Sequence, residues 1–297
     1  MTQQSLPSVY DASFFTRLAA ALGALAARFE KAPRALRVLV VGAHCDDESL
    51  GFSNALSSLQ RLGGQILVAI FAAADRDRAQ ESVEAMRRVG IDRSQVLTFD
   101  FPDTALRREY ATVSRTLRAL KEAFHFDLSA QHRSDHHCDH VALHHACREV
   151  FADDVPSQFL FRIPQRTPKV FEPRVWLRMK GSPLAPDSDF ERSSFALEAY
   201  QTERERTDYF NPHIRLGFHI EHGRYAGAES AEPYECRSIA FAPCDCGQSW
   251  ALKRNAARGD MTLSQEGVRQ VRCRDARIIL EAARCGCPTL ALGAPSA

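Results

Sequence analysis

The stretch Arg37-Val38-Leu39-Val40-Val41-Gly42-Ala43-His44-Cys45-Asp46-Asp47-Glu48 decides the reading of this chain. Its first half, RVLVV over 37–41, is a run of aliphatic residues with no polar alternation, the pattern of a strand buried on both faces. Its second half turns abruptly to His, Cys and acidic residues, and LGFSNALSSLQRL (50–62) then reads as a helix. A buried strand that ends on polar groups and feeds a helix is the opening of a βα unit.

The same alternation continues downstream. QILVAIFAAA (65–74) reads as a strand and RAQESVEAMRRVG (78–90) as a helix closed by Gly90. VLTFDF (96–101) is a strand and TVSRTLRALKEAF (112–124) a helix. FDLSAQ (126–131) is a strand, HVALHHACREVF (140–151) a helix and QFLFRI (158–163) a further strand. Upstream, 11–31 has Phe14, Leu18, Leu22 and Leu25 at helical spacing and reads as an amphipathic helix packed on the domain. Beyond 163 the pattern weakens. Residues 164–195 read as irregular strand and loop, 195–210 as a helix, and 211–243 as irregular with a terminal strand. After Pro243 the chain reads as an appendage with one helix.

These elements predict an α/β fold: Rossmann-like, a mostly parallel sheet with helices on both faces, plus an N-terminal helix and a C-terminal appendage. The expected boundaries are 1–36 for the helical extension, 37–243 for the catalytic domain and 244–297 for the cysteine-containing appendage. In such sheets ligands bind beyond the carboxyl ends of the strands. Two clusters sit there: His44–Asp47 after the first strand, and His136-His137-Cys138-Asp139-His140 after the fourth. The topology therefore places both on one rim.

The bulk numbers narrow the function classes. The chain has 297 residues, 45% hydrophobic residues and a formal net charge of +1. That balance gives no electrostatic footprint for nucleic acid. No apolar stretch is long enough to span a membrane, and the N-terminus shows no basic-then-apolar leader pattern. The nine cysteines read as mostly reduced thiols, which points to a cytoplasmic protein. The late ones, Cys244, Cys246, Cys273, Cys285 and Cys287, fit reduced thiols better than a structural zinc site. A homo-oligomer is left open.

His44 and Asp47 are three apart, so one turn directs both side chains the same way. With His140 as third donor they make a two-histidine, one-carboxylate set that suits zinc and leaves a position for water. Asp46 points elsewhere and can approach that water. His137 can face the same pocket, and Asp139 is expected to orient His137. A facial set of this composition could also hold ferrous iron for oxygen chemistry, but the second aspartate favours hydrolysis.

AHCDDE (43–48) and HCDH (137–140) resemble the AHPDDE and HPDH motifs of the PIG-L/LmbE-like N-acetylglucosaminyl de-N-acetylases. Arg78-x-x-Glu81-x-x-x-Ala85-x-x-x-Val89-Gly90, Phe101-Pro102-Asp103, Ala199-Tyr200-Gln201 and Ala231-Glu232 resemble further landmarks of that family. The resemblance covers about 37–240. It implies a metal-dependent hydrolase that removes acetyl from an N-acetylglucosamine-type sugar conjugate. His44, Asp47 and His140 would be the ligands of Zn2+, with Fe2+ the alternative. Asp46 would be the general base, His137 would steady the oxyanion, and Arg78 and Asp103 would face the sugar. Cysteine replaces the family's proline at Cys45 and Cys138, which raises the expectation of a Cys45–Cys138 contact. Two rivals are a DHH-type manganese phosphoesterase, suggested by Asp135-His136-His137, and a degenerate sugar-binding member without catalysis.

Overall fold

The computed structural model describes residues 10, 12–29, 37–61, 64–132, 136–151, 157–161, 163, 175–178, 182–203, 210–226, 229–241, 252–253, 269–272 and 278–281. Strand β1 (Arg37–Gly42) pairs in parallel with β2 (Gln65–Ile70) on one side and with β4 (Leu128–His132) on the other. Strand β3 (Val96–Thr98) extends the sheet beyond β2, and β5 (Ser157–Phe161) extends it beyond β4, both in parallel. The order β3-β2-β1-β4-β5 is the expected parallel α/β sheet. The strand order reverses between β1 and β4, and that switch point is where such sheets open a crevice for ligands. The motif-bearing loops follow those two strands.

Alternate residues of each strand enter different cores. Val38, Val40, Ile66, Val68 and Ile70 face one cluster, completed by helices α2 (Asp47–Arg61), α3 (Arg76–Arg88) and α6 (Asp189–Leu197). Leu39, Val41, Leu67 and Ala69 face the other, completed by α1 (Ala12–Phe29), α4 (Tyr110–Phe124) and α5 (Cys138–Phe151). Both faces are thus covered, which is why these strands carry no polar alternation. Helix α2 is buried along its length from Asp47 to Leu59, between the sheet and α6. It also lies so close to β5 that a Cβ on Gly51 would come within 2.2 Å of Phe161 Cδ2.

Three expectations need correction. The helix read over 195–210 is instead, among the described residues, the end of α6 at Leu197 followed by a turn over 198–203, and residues 204–209 lie outside the described residues. Ser188 caps its start by accepting from Glu191 N, a signal ahead of the stretch that was read as helical. The region 211–243, read as irregular, opens with α7 (Pro212–Ala226), and the terminal strand expected there is β7 (Ala231–Phe241). Asn211 Oδ1 accepts from His213 N and Ile214 N, with Pro212 at the first helical position, where its missing N–H costs nothing. Arg215 and His219 of α7 are buried, so no apolar stripe marks the helix. In the appendage the described pieces are strands, not a helix: β8 (Leu252–Lys253), β9 (Arg269–Arg272) and β10 (Ile278–Glu281). β9 pairs with β7, and β10 pairs with β6 (Val175–Arg178), which itself lies antiparallel to β7. The five late cysteines lie outside the described residues.

Candidate metal centre

Strand β1 ends at Gly42 and α2 begins at Asp47, so four residues turn the chain. The backbone carbonyl of Asp46 accepts from Ser49 N and Leu50 N at 3.0 and 2.8 Å, which starts the helix. Asp47 folds back over the turn. Its Oδ2 accepts from Ala43 N at 2.9 Å and from His44 N at 3.0 Å. This fixes one carboxylate, only 1% exposed, against the loop that carries His44. Asp46 points away from it towards Arg78 of α3, 3.7 Å from Asp46 Oδ2 to Arg78 Nη2.

The second loop delivers His140 from the first turn of α5. His44 Nδ1 lies 3.1 Å from His140 Nε2. Asp47 Oδ2 lies 3.4 Å from His140 Nε2 and 3.9 Å from His44 Nδ1. Donor atoms bound to one tetrahedral zinc at 2.0–2.1 Å stand about 3.3 Å apart. A point roughly 2.0 Å from all three donors therefore exists, which matches zinc–nitrogen and zinc–oxygen bond lengths. The residues present fit a divalent ion.

Burial alone would push the Asp47 carboxyl up, but the surrounding His140, His132 and His44 prevail and hold it well below the usual carboxylate range. Asp46 behaves oppositely. Burial first, then the adjacent Asp47 charge, push it up to about 7 against the pull of Arg78 and His44. Two neighbouring carboxyls with separated proton affinities suit different tasks. His137 is part-exposed, and burial together with His44 and His140 lowers its proton affinity, which favours a neutral ring.

Asp139 has a partner that its spacing did not indicate. Its Oδ2 sits 3.2 Å from His44 Nε2, and one donor atom each of Asp139, His137, His44 and Asp103 lie within 4.8 Å of one another. The same carboxylate accepts from Thr104 N at 2.7 Å and from Leu106 N at 3.0 Å. His137 Nδ1 faces the Asp139 backbone N–H at 3.3 Å. The reason is that Asp139 lies on the buried side of α5, under the loop after β3, where Thr104 adopts φ 65°. Sequence spacing along α5 alone could not supply that loop. The consequence favours metal binding: a proton on His44 Nε2, shared with Asp139, leaves Nδ1 as the lone-pair nitrogen facing Asp47 and His140.

The residues expected to face substrate sit at the rim. Asp103, 61% exposed on its side chain, lies 3.2 Å from His44 Nε2 and 3.8 Å from His137 Nε2. Arg78 spans Asp46 and Glu203, the latter 3.4 Å from its Nε. Glu203 was not anticipated, because it is far from both motifs in sequence. The landmarks bring it there: Glu81 accepts from Gln201 N, Thr202 N and Thr202 Oγ1, pinning the segment after α6. Tyr200 Oη reaches Glu48 Oε1 at 2.7 Å beneath the same loop. His132 was also missed, although it ends β4 on the rim that located His44. Cys45 and Cys138 are free thiols with no disulfide between them. Cys45 is buried, chiefly for which reason its thiol is pushed up to about 12, and it is unreactive in that state. His136 is exposed, and Asp135 lies outside the described residues.

Residues 39–151 match the family model PIG-L, described as GlcNAc-PI de-N-acetylase. Both motifs fall inside this stretch, and the resemblance to the PIG-L/LmbE-like family is shown there. The chain is 26% identical over 150 residues to the uncharacterized deacetylase YaiS of Escherichia coli K12, spanning 43% of this chain and 78% of YaiS. A deacetylase of the teicoplanin biosynthesis pathway shares the fold with a TM-score of 0.54 and 18% identity, over 67% of this chain and 97% of that one. GalB, the 4-carboxy-2-hydroxymuconate hydratase of Pseudomonas putida KT2440, shares it equally, with a TM-score of 0.54 and 16% identity over 68% and 95%. No helix among the described residues is long and apolar enough to cross a membrane.

Proposed function

We propose that the chain is a metal-dependent deacetylase that releases acetate from an N-acetylated amino-sugar conjugate. The observation that carries this is the convergence of His44 Nδ1, Asp47 Oδ2 and His140 Nε2 within 3.1–3.9 Å of one another, beside a separate aspartate. The PIG-L match over both motifs and the deacetylase relative support the choice of reaction over the phosphoesterase alternative.

His44, Asp47 and His140 would hold the ion, zinc by donor type, with ferrous iron the alternative. A bound ion of this kind supplies Lewis acidity to an amide carbonyl and acidifies water. The protein groups do the rest. Asp46, raised towards neutrality, takes a proton from the attacking water and returns it to the departing amine. His137, neutral and part-exposed, donates a hydrogen bond to the oxygen that gains charge, a contribution of a few kcal/mol where donors are fixed in advance. Asp139 holds His44, and the loop it anchors carries Asp103 to the rim. Arg78, balanced between Asp46 and Glu203, and Asp103 offer hydrogen bonds to sugar hydroxyls.

The test is acetate release from a panel of N-acetylated amino sugars and their conjugates, with and without chelator, for wild type and Asp46→Asn. Release should stop on metal removal and return on reloading. Asp46→Asn should keep its metal and lose at least about 10²-fold in rate, the usual range for a general base. A near-normal rate in that variant, or chelator-insensitive release, would refute the proposal.

A further inference from the structure

His132 closes β4 and is buried. Its ring lies over that of His140, with centroids 4.0 Å apart and planes 35° apart. Phe161, its register partner on β5, meets it edge-on at 5.7 Å. One donor atom each from Asp47, His132 and His140 lie within 4.8 Å of one another, and all three residues are buried. None of the steps above uses His132. As packing alone, the position could be filled by any aromatic ring. Beside a buried carboxylate and a second imidazole, its nitrogen instead completes another two-histidine, one-carboxylate set of the kind that binds zinc or cobalt.

We propose that Asp47, His132 and His140 form an inner position for a divalent transition-metal ion, alternative to the outer position that uses His44. The proposal rests on the metal reading above, since Asp47 and His140 belong to both sets. Sharing those two donors limits the chain to one ion, which takes either His44 or His132 as third ligand. The outer set borders the part-exposed His137 and Asp46. The inner set has only buried donors, so an ion held there is sequestered from substrate. The inner position would keep an ion within the protein while leaving the catalytic groups idle.

The full-length chain, stripped and reloaded with Co2+, tests this through affinity and spectrum rather than turnover. Affinity is read by competition with a chelating dye, and ligand geometry by the visible absorption of the bound Co2+. His44→Ala should still bind one Co2+ per chain, weakened about 10–100-fold, with a changed spectrum. Adding His132→Phe, which keeps an aromatic ring against His140, should weaken binding at least about tenfold further; these steps follow the usual scale for altered metal environments. A double variant no weaker than His44→Ala would overturn the proposal and reduce His132 to packing. X-ray absorption on Co2+-loaded His44→Ala is a second arm that needs no change at His132: two imidazole ligands are expected, and one would overturn the inner position. Wild type that binds no Co2+ would instead remove the whole metal centre, a failure distinct from either.

Discussion

Replacing Asp139 by asparagine should weaken metal binding although Asp139 touches no ion itself. Its carboxylate accepts from Thr104 N and Leu106 N and faces His44 Nε2 at 3.2 Å. A carboxamide has one accepting oxygen and a donating NH2. If the oxygen takes the Oδ1 place and keeps Leu106 N, the NH2 opposes both Thr104 N and the proton on His44 Nε2. His44 then relieves the clash by moving its proton to Nδ1, the nitrogen 3.1 Å from His140 Nε2, where a cation needs a lone pair. If the oxygen keeps His44, a backbone N–H of the 104–106 loop goes unpaired, at a cost of about 1–3 kcal/mol. Removing such a supporting group typically lowers metal affinity about 10–100-fold, or roughly 1.4–2.7 kcal/mol. The assay is chelator competition against Zn2+ on wild type and Asp139→Asn, with a denaturant melt of the apo forms to read the loop separately. Unchanged affinity with reduced turnover would refute the assignment and return Asp139 to the role its spacing suggested, orienting His137.

Two further outcomes test the frame around the site. Gly51→Ala sets a Cβ within 2.2 Å of Phe161 Cδ2 and should cost about 1–3 kcal/mol in a urea titration, as overpacked cores do; a neutral result would mean that α2 and β5 are not in this close contact. Burial and Arg215 lower His219 from 6.5 to about 3, so below pH 6.5 the unfolded chain takes up a proton that the folded chain refuses. Stability from this group is complete above pH 6.5 and falls by about 1.4 kcal/mol per unit as pH drops towards 3. His219→Gln can keep the bonds to Ala231 O and Asn54 and should flatten that slope in denaturant titrations between pH 6.5 and 4.5; equal slopes would refute the assignment.

What the sequence disclosed and what it concealed follow from where each signal is stored. Strands β1 and β2 were plain because both faces are buried, which forces an apolar run. Helix α5 was plain from its local pattern, and its histidines from their place just past a strand end, although His140 meets His44 across 96 positions of sequence. Helix α7 was hidden by its own packing: Arg215 Nη2 is satisfied by Ser193 Oγ at 3.0 Å and His219 Nε2 by Asn54 at 3.0 Å. A helix buried through polar contacts shows no stripe. Glu203 and the contact of Asp139 with His44 were hidden for another reason. Each depends on a loop from a different part of the chain, and nothing in local periodicity records which loop will cover which carboxylate. His132 was legible by the rule that singled out His44, a polar residue ending a buried strand, and lacked only an adjacent acidic residue to mark it.

The frame does not choose the reaction. The same strand order aligns with a deacetylase and with a hydratase at equal TM-scores, so the crevice between β1 and β4 is a place for chemistry rather than a particular chemistry. Under the proposed amide hydrolysis, the leaving nitrogen departs as an amine only if the group that accepted the water's proton can deliver it again. A carboxyl with ordinary affinity would keep too little of that proton at neutral pH. Burial and the adjacent Asp47 raise Asp46 to about 7, so it can both accept and return the proton near neutrality. Arg78, held by Glu203, limits that rise by keeping a positive charge 3.7 Å from Asp46 Oδ2. The pairing of a strongly acidic Asp47 with a weakly acidic Asp46, set by their opposite directions out of one turn, is therefore the local feature on which the proposed amide hydrolysis depends.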